Sequence, residues 1–565
     1  MQVNSKVWLF RAIMLCIPFL FFILFELSLR LLSITPPTPL FIDNPAHADY
    51  QLPRPDVLTR YFPPQSGAPN VTLEANFLLK QKPANGFRIF VQGGSTAAGY
   101  PYGLGASLAG MLDHRLKASL PGRYVEVINT ALSAVNSHTL LDLADEIIAQ
   151  QPDAVVIYAG HNEYLGVLGV GSNFTLGEQY WLTRAMLWLK DLHTYQLLQR
   201  VIYALNPPTN QSSNEQSRRT VMSQVAKHQS IEKDSALYAA GLEQFSSNMQ
   251  RLIARYQAAG IPVFISTIAS NLRDQAPFAS QPVPNEFSQV KATVTAPQAL
   301  ITLATQWQDS TSADLHYQLA KAFEATADMQ RAKHHYLLAK EHDLLRFRAP
   351  EAINAIIKSL AQESGVYLVD ALAALEQRSK DQIIGRNLML EHLHPNVPGY
   401  FVIADAVYQS MSQSGLFRPW QTIDTTTAWQ RRPLLPAEEY FGFASIITLM
   451  ADYPFTDSPK PVALPPPNDW QQTLGLQQFR KQISWLTMAQ QSAQRYQAET
   501  NLNMLVKTSQ LIADALPHDP IANAKAAELL VQQQRTTEAL FYALRAQRAG
   551  DVSPSTLRLI ETLSN

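Results

Sequence analysis

A serine hydroxyl does no acyl chemistry alone; it needs a base to take its proton and donors to hold the oxyanion that follows. In this 565-residue chain the stretch "RIFVQGGSTAAGY" (88–100) drives an apolar run into two glycines and sets Ser95 where a helix begins. Glycines permit a tight corner there, and the free N–H groups of a helix start favour developing negative charge. Far along the chain, "LEHLHPNVPGY" holds Glu391 and His394 three residues apart before a proline-bounded turn and a helical run. A carboxylate at that offset can fix an imidazole by Nδ1 and leave Nε2 facing a serine. His392 is a competing base, although one residue's separation from Glu391 makes orientation by that carboxylate harder. Oxyanion donors come from "YAGHNEYLG", where Gly160 gives backbone freedom and Asn162 a side-chain amide, and from "NTALSAVNS", through the Ala134 N–H.

Phosphate chemistry fits less well. A P-loop needs Lys followed by Ser or Thr after its glycines, and the opening stretch has no such Lys. "GLGASLAG" (103–110) has the wrong glycine spacing for a dinucleotide fingerprint and follows no strand. A net charge of −1 without a basic stripe argues against a nucleic-acid partner. The single cysteine, Cys16, excludes an intrachain disulfide and a Cys-based zinc site. No metal or organic cofactor is expected.

These residues need elements to position them. Five runs read as strands: 88–92, 124–129, 154–160, 262–266 and 366–370. Helical patterns such as "LLDLADEIIAQQ" alternate with them, which predicts an α/β fold with a doubly wound parallel sheet. Ligand sites in such sheets form at carboxyl ends of strands, and the serine, the asparagine and the Ala134 segment all fall at such ends. "STIASNLRD" follows the fourth strand, so Asn271, Arg273 and Asp274 are candidate crevice residues, with a structural loop as the equal alternative. Glu163 and Tyr164, beside Asn162, are candidates for shaping the pocket.

The N-terminus carries an uncharged run, Ala12 to Phe25, followed by "ELSLRLLSI". Alone it is short for a membrane span and matches a signal-peptide core equally well; extended through Ile34 it reaches spanning length. Glu26 and Arg30 then lie four apart, able to pair or to snorkel. Lys6 and Arg11 precede the run, which puts the N-terminus in the cytoplasm and the rest outside. No cleavage site of small residues is evident, so residues 1–35 read as an uncleaved signal-anchor. Residues 36–85 are proline-rich and read as an extended tether. The α/β region spans 86–420 with helical insertions at about 172–255 and 300–350. In the first, "QYWLTRAMLWLKDLHTYQLLQRVIYAL" is apolar around much of its circumference; a lid, a membrane-facing helix and a buried helix all fit, and burial is the expectation. The second, at 313–343, is similar to a tetratricopeptide repeat through Leu319, Ala320, Phe323, Ala332, Tyr336 and Ala339. Residues 429–565 are helical, and 520–551 again fit such a helix pair, or a small helical bundle.

Taken together, the serine, second, asparagine and histidine segments resemble, in order, the blocks of the SGNH (GDSL-type) hydrolase superfamily. The resemblance covers roughly 86–170, 255–275 and 360–412. It implies a flavodoxin-like three-layer domain, with Ser95 as nucleophile, His394 as general base and acid, and Glu391 orienting that histidine. The Ser95 and Ala134 N–H groups and the Asn162 amide would form the oxyanion hole. Three positions depart from the usual pattern: Gly94 stands where Asp is common, Ala134 replaces a glycine, and Glu391 replaces Asp. The implied activity is that of a membrane-anchored, exported serine esterase acting through an acyl-enzyme on an O-acyl group of a glycan or lipid. Acyl transfer to a sugar, or a scaffold role in which the helical repeats bind a protein partner, are the alternatives.

Overall fold

The computed structural model describes residues 5–32, 38–61, 71–173, 180–205, 222, 226, 230–283, 285, 297–304, 307, 309–458 and 461–564. The β-branched and aromatic runs form a five-stranded parallel sheet from β4 (Gly86–Gly93), β5 (Tyr124–Asn129), β6 (Ala154–Tyr158), β7 (Val263–Ser266) and β8 (Val366–Val369). Their spatial order is β5-β4-β6-β7-β8, so the order reverses between β4 and β6, the switch point of a doubly wound sheet. All eight residues of β4 are buried, as expected for a central strand covered on both faces. Helices Leu108–Ser119 and Val397–Ser414 pack together as one cover. Helix Ala236–Ala258, with Ser137–Asp142 and Glu351–Leu360, forms the other.

The stretch expected as a tether is partly folded onto this body. Among its described residues, β1 (Phe41–Asp43), β2 (Tyr50–Pro53) and β3 (Leu78–Leu79) make a small antiparallel sheet. Leu40, Tyr50, Val57, Leu58 and Leu78 are buried there, and Arg60 pairs with Asp142 at 3.2 Å and Glu146 at 2.8 Å. Proline content signals an extended backbone, but apolar side chains between the prolines supply enough burial to dock it.

Helix Ser5–Leu31 contains the described segment, Val7–Leu31, that is long and apolar enough to cross a membrane. The apolar stretch after Gly171 forms helices Tyr180–Leu189 and His193–Leu205, and the expected burial does not hold. Thr183 is buried, and Met186 and Leu187 pack on the core, but Trp181, Trp188, Leu198 and Leu205 remain exposed.

Helices Ala313–Ala325 and Met329–Glu341 pack as a hairpin with a core of their own, in which Leu319, Phe323, Ala332 and Tyr336 meet Leu272 and Ile383 of the α/β body. One helix pair cannot cover its own apolar face, and this contact covers it. Helices Trp485–Ala498, Leu502–Ala515, Pro520–Gln532 and Thr536–Arg548 pack in succession, with Ala489, Ala513, Ala526, Ala539 and Ala546 at close contacts. This array lies against the α/β body. Lys117 Nζ reaches Asp514 at 2.7 Å, the Tyr124 and Phe541 rings meet at 5.7 Å, and Gly105 lies against the Pro433 carbonyl.

Candidate active site

Strand β4 ends in Gly93, and Ser95 is the first residue of the short helix Ser95–Ala98. The two glycines before it are needed for room, not for an unusual dihedral. A Cβ on Gly93 would stand 2.1 Å from the Tyr158 carbonyl oxygen, and one on Gly94 would stand 2.7 Å from Asn162 Nδ2. Gly94 itself has ordinary extended dihedrals, φ −88° and ψ −158°. The corner is thus narrow because the end of β6 and the Asn162 segment close on it from two sides.

The partner of Ser95 comes from a turn 299 residues away: His394 Nε2 lies 2.7 Å from Ser95 Oγ. The turn is held by Leu390 N–H on the His394 carbonyl at 2.8 Å and Asn396 N–H on Leu388 at 3.0 Å. Asn396 then caps helix Val397–Ser414 by accepting from Gly399 N–H at 3.0 Å. Glu391 is buried and its carboxylate serves two rings. Oε1 accepts from His394 Nδ1 and from the His394 N–H at 3.1 Å, while Oε2 accepts from His392 Nδ1, the His392 N–H and the Leu393 N–H at 3.3 Å. His392 is therefore no rival for the serine. It shares the carboxylate because the non-helical turn lets residues one and three positions on both fold back over Glu391. The His392 ring is enclosed by Phe278 at 5.3 Å, Phe455 at 5.4 Å and Phe347 at 6.2 Å. Donor atoms of Glu391, His392 and His394 lie within 4.8 Å of one another, close enough for a metal ion, but both Nδ1 atoms are already engaged on the carboxylate.

Burial lowers the His394 pKa to about 3, which keeps the imidazole neutral and able to accept a proton. Burial likewise holds His392 well below its ordinary value, with the His394 ring adding to the effect. Tyr100 covers His394 from the other side, its ring centroid 4.8 Å away, and burial pushes its phenol up to about 12. A neutral base against a hydroxyl, backed by a carboxylate and shielded by aromatic rings, can deprotonate a serine during attack on a carbonyl.

Ala134 has φ 62°, a left-handed conformation that costs an alanine roughly 1–2 kcal/mol. Its carbonyl accepts from Val167 N–H at 2.6 Å, which pins the loop after β5 to the loop after β6. Asn162 Nδ2 donates to the Val135 carbonyl at 2.9 Å and overlies Gly94. The Asn162 amide and the Ala134 backbone are thus both tied into the corner that holds Ser95. Gly160, at φ 149°, fills another need: a Cβ there would stand 2.6 Å from Ile268 and 2.7 Å from Ile353.

The residues expected to meet substrate have other engagements. Glu163 is buried and accepts from Ser137 Oγ at 2.6 Å and Gln244 Nε2 at 2.7 Å; burial raises its pKa to about 7. Tyr164 is fully buried, donates to the Tyr238 carbonyl at 3.0 Å and packs its ring over Gly241. Asn271 is buried and donates its N–H to the His392 carbonyl at 2.9 Å, so it supports the histidine turn from beneath. Arg273 reaches Glu324 at 3.2 Å and Asp381 at 3.1 Å, and Asp274 accepts from Arg386 N–H at 2.8 Å. All five positions are engaged with partners within the protein, as polar groups this close to a buried site require. Tyr100 and the supporting place of His392 went unassigned from sequence. Tyr100 lies in the serine segment itself, but nothing local tells a shielding tyrosine from a loop tyrosine.

No family profile and no curated protein matches the chain. Among solved structures, the chain is similar to a catalytic mutant of the acetylxylan esterase Axe2 from Geobacillus stearothermophilus, at 12% identity and TM-score 0.27, covering 59% of this chain and 96% of that one. It is also similar to the protein YxiM of Bacillus subtilis, at 15% identity and TM-score 0.27, covering 61% of this chain and 62% of that one. The reading of the site rests on its own geometry.

Proposed function

We propose that this chain is a serine esterase of SGNH type. The observation that carries the reading is the relay from Ser95 Oγ through His394 Nε2 and Nδ1 to the Glu391 carboxylate. His394 takes the Ser95 proton as Oγ attacks an ester carbonyl, then returns it to the departing alcohol. The Asn162 amide and the Ser95 and Ala134 N–H groups stabilise the oxyanion. Water, deprotonated by the same imidazole, releases the acid and frees Ser95. The carboxylate's second hydrogen-bonding partner, His392, holds Glu391 still, so the longer side chain at this position still presents Oε1 to His394. The strand order, with its switch point beside Ser95, supports the three-layer fold of that superfamily.

In the same proposal helix Ser5–Leu31 anchors the chain in a membrane, with Lys6 and Arg11 on the cytoplasmic side and the catalytic domain exported. The substrate is then an O-acyl group on an envelope glycan or a lipid, and the tetratricopeptide-like helices offer a surface to a protein partner. A fluorophosphonate probe applied to the intact protein should label Ser95, and Ser95→Ala should cut hydrolysis of short aryl esters by about 10⁴ or more. Labelling with turnover only after a sugar acceptor is added would favour acyl transfer. Folded protein with neither labelling nor hydrolysis would leave the scaffold reading.

A further inference from the structure

Helices Tyr180–Leu189 and His193–Leu205 each carry two faces. In the first, Thr183, Met186, Leu187 and Lys190 follow helical spacing toward the body; Thr183 is buried, and Lys190 Nζ reaches Asp142 at 3.0 Å. Trp181 and Trp188 lie on the outward side of the same helix, Trp188 with 71% of its surface exposed. In the second, Leu198, Val201, Ile202 and Leu205 occupy positions i, i+3, i+4 and i+7, and every one is exposed, Leu205 to 76%. A continuous apolar stripe facing away from the protein needs a cover.

The place of this stripe identifies the cover. The second helix begins on the end of the membrane-spanning segment, not elsewhere on the body. Glu26 accepts from His193 N–H at 2.9 Å, from Thr194 N–H at 2.8 Å and from Thr194 Oγ1 at 2.8 Å. Arg30 holds Glu26 at 2.9 Å and donates to the Asp191 carbonyl at 3.2 Å. These are the two charged residues in an otherwise uncharged C-terminal half of that segment, and they mark where it leaves the hydrocarbon. The apolar stripe is therefore continuous with the exposed apolar surface of the membrane helix and starts at the lipid–water boundary. Tryptophans beside an aliphatic stripe are the composition favoured at that boundary.

We propose that helices Tyr180–Leu189 and His193–Leu205 are a second membrane contact, lying in the lipid interface beside the N-terminal anchor and fixing the catalytic body at the membrane surface. This rests on reading Ser5–Leu31 as a membrane anchor, so the test must read the two separately. The full chain is reconstituted in phosphatidylcholine–phosphatidylglycerol vesicles carrying nitroxide lipids, labelled either near the headgroup or near the chain end. An environment-sensitive fluorophore on the native Cys16 reports the anchor. In a Cys16→Ser background, Leu198→Cys and Ile202→Cys report the stripe, and Ile521→Cys, exposed on the C-terminal array, reports water. The expected result is Cys16 quenched best by deep nitroxide, positions 198 and 202 quenched about twofold or more by shallow nitroxide, and position 521 unaffected. Quenching at Cys16 without quenching at 198 and 202, in protein that melts as the parent does, would overturn the proposal and leave the anchor standing. No quenching at Cys16 would remove the anchor and the proposal with it. Disulfide-linked pairs through Leu198→Cys, without lipid quenching, would assign the stripe to a second copy and also overturn it.

Discussion

The narrow corner at Ser95 makes a sharp prediction about a residue with no side chain. In Gly94→Ala the new Cβ would meet Asn162 Nδ2 at 2.7 Å, whereas ordinary contacts begin at 3.4 Å, so the amide must move by about 0.7 Å. Asn162 cannot step straight back, because the Gly166 backbone packs against its Cβ. A donor displaced that far from an ordinary hydrogen bond of about 2.9 Å leaves useful range. Loss of one oxyanion donor costs about 2.7–4 kcal/mol of transition-state stabilisation, or about 10²–10³ in kcat. Gly94→Ala is therefore expected to lower kcat on a p-nitrophenyl ester by that order with little change in KM, while the melting temperature stays near the parent's. Asn162→Ala should cost the same, and because both changes remove one interaction the double variant should be no worse than either alone. Two outcomes would refute the reasoning: a Gly94→Ala protein as active as the parent, or a double variant whose loss is the product of the two single losses.

Three other expectations follow from the structure. Burial lowers the His394 pKa to about 3, and the base works only when neutral, so the acid limb of kcat/KM should fall below the ordinary histidine value of about 6.5; a limb at or above 7 in a pH–rate profile would contradict it. Ala134→Gly should relieve the strain of φ 62° and raise stability by up to about 1 kcal/mol in urea melts, less what glycine gains in the unfolded chain. Burial lowers His114 and His138 to about 4 and His161 to about 3, so the unfolded state binds the extra protons. Stability from these three should be fully present above the unfolded value of about 6.5 and decline as pH falls toward those lower values, by about 2 kcal/mol for each at pH 5. Thermal melts at pH 7.5 and 5 check this, and the His114→Gln variant should flatten the slope.

The sheet and the approach of His394 to Ser95 were legible because they depend on patterns the chain states locally. Apolar runs bounded by turns mark the strands, and functional groups at strand ends meet at the switch point whatever lies between them. The partners of Glu163 and Arg273 were not legible for a different reason. Those partners, Gln244 and Glu324, arrive on helical insertions, and no local pattern says where an insertion docks. His392 was set aside for its one-residue offset from Glu391, but it sits in a turn, where neighbouring side chains can converge on one carboxylate. The apolar helices after Gly171 look like core by composition alone; only the Glu26 contacts show that they start at the end of the apolar N-terminal helix.

The C-terminal helical region, from about residue 429 through the array, has a consequence for how this protein can be divided. Gly105 packs against Pro433, Gly442 faces the Tyr102 ring, and Lys117 is held by Asp514. Tyr102 and Gly105 lie in the loop that leaves the Ser95 helix, so this region braces the segment on which the nucleophile's corner rests. A chain ended near residue 430 would uncover Lys117, leaving it only Asp113 as a carboxylate partner, and expose the apolar side of that loop. The C-terminal helices and the body thus share packing surface close to the nucleophile's corner, so a cut between them would run through that surface.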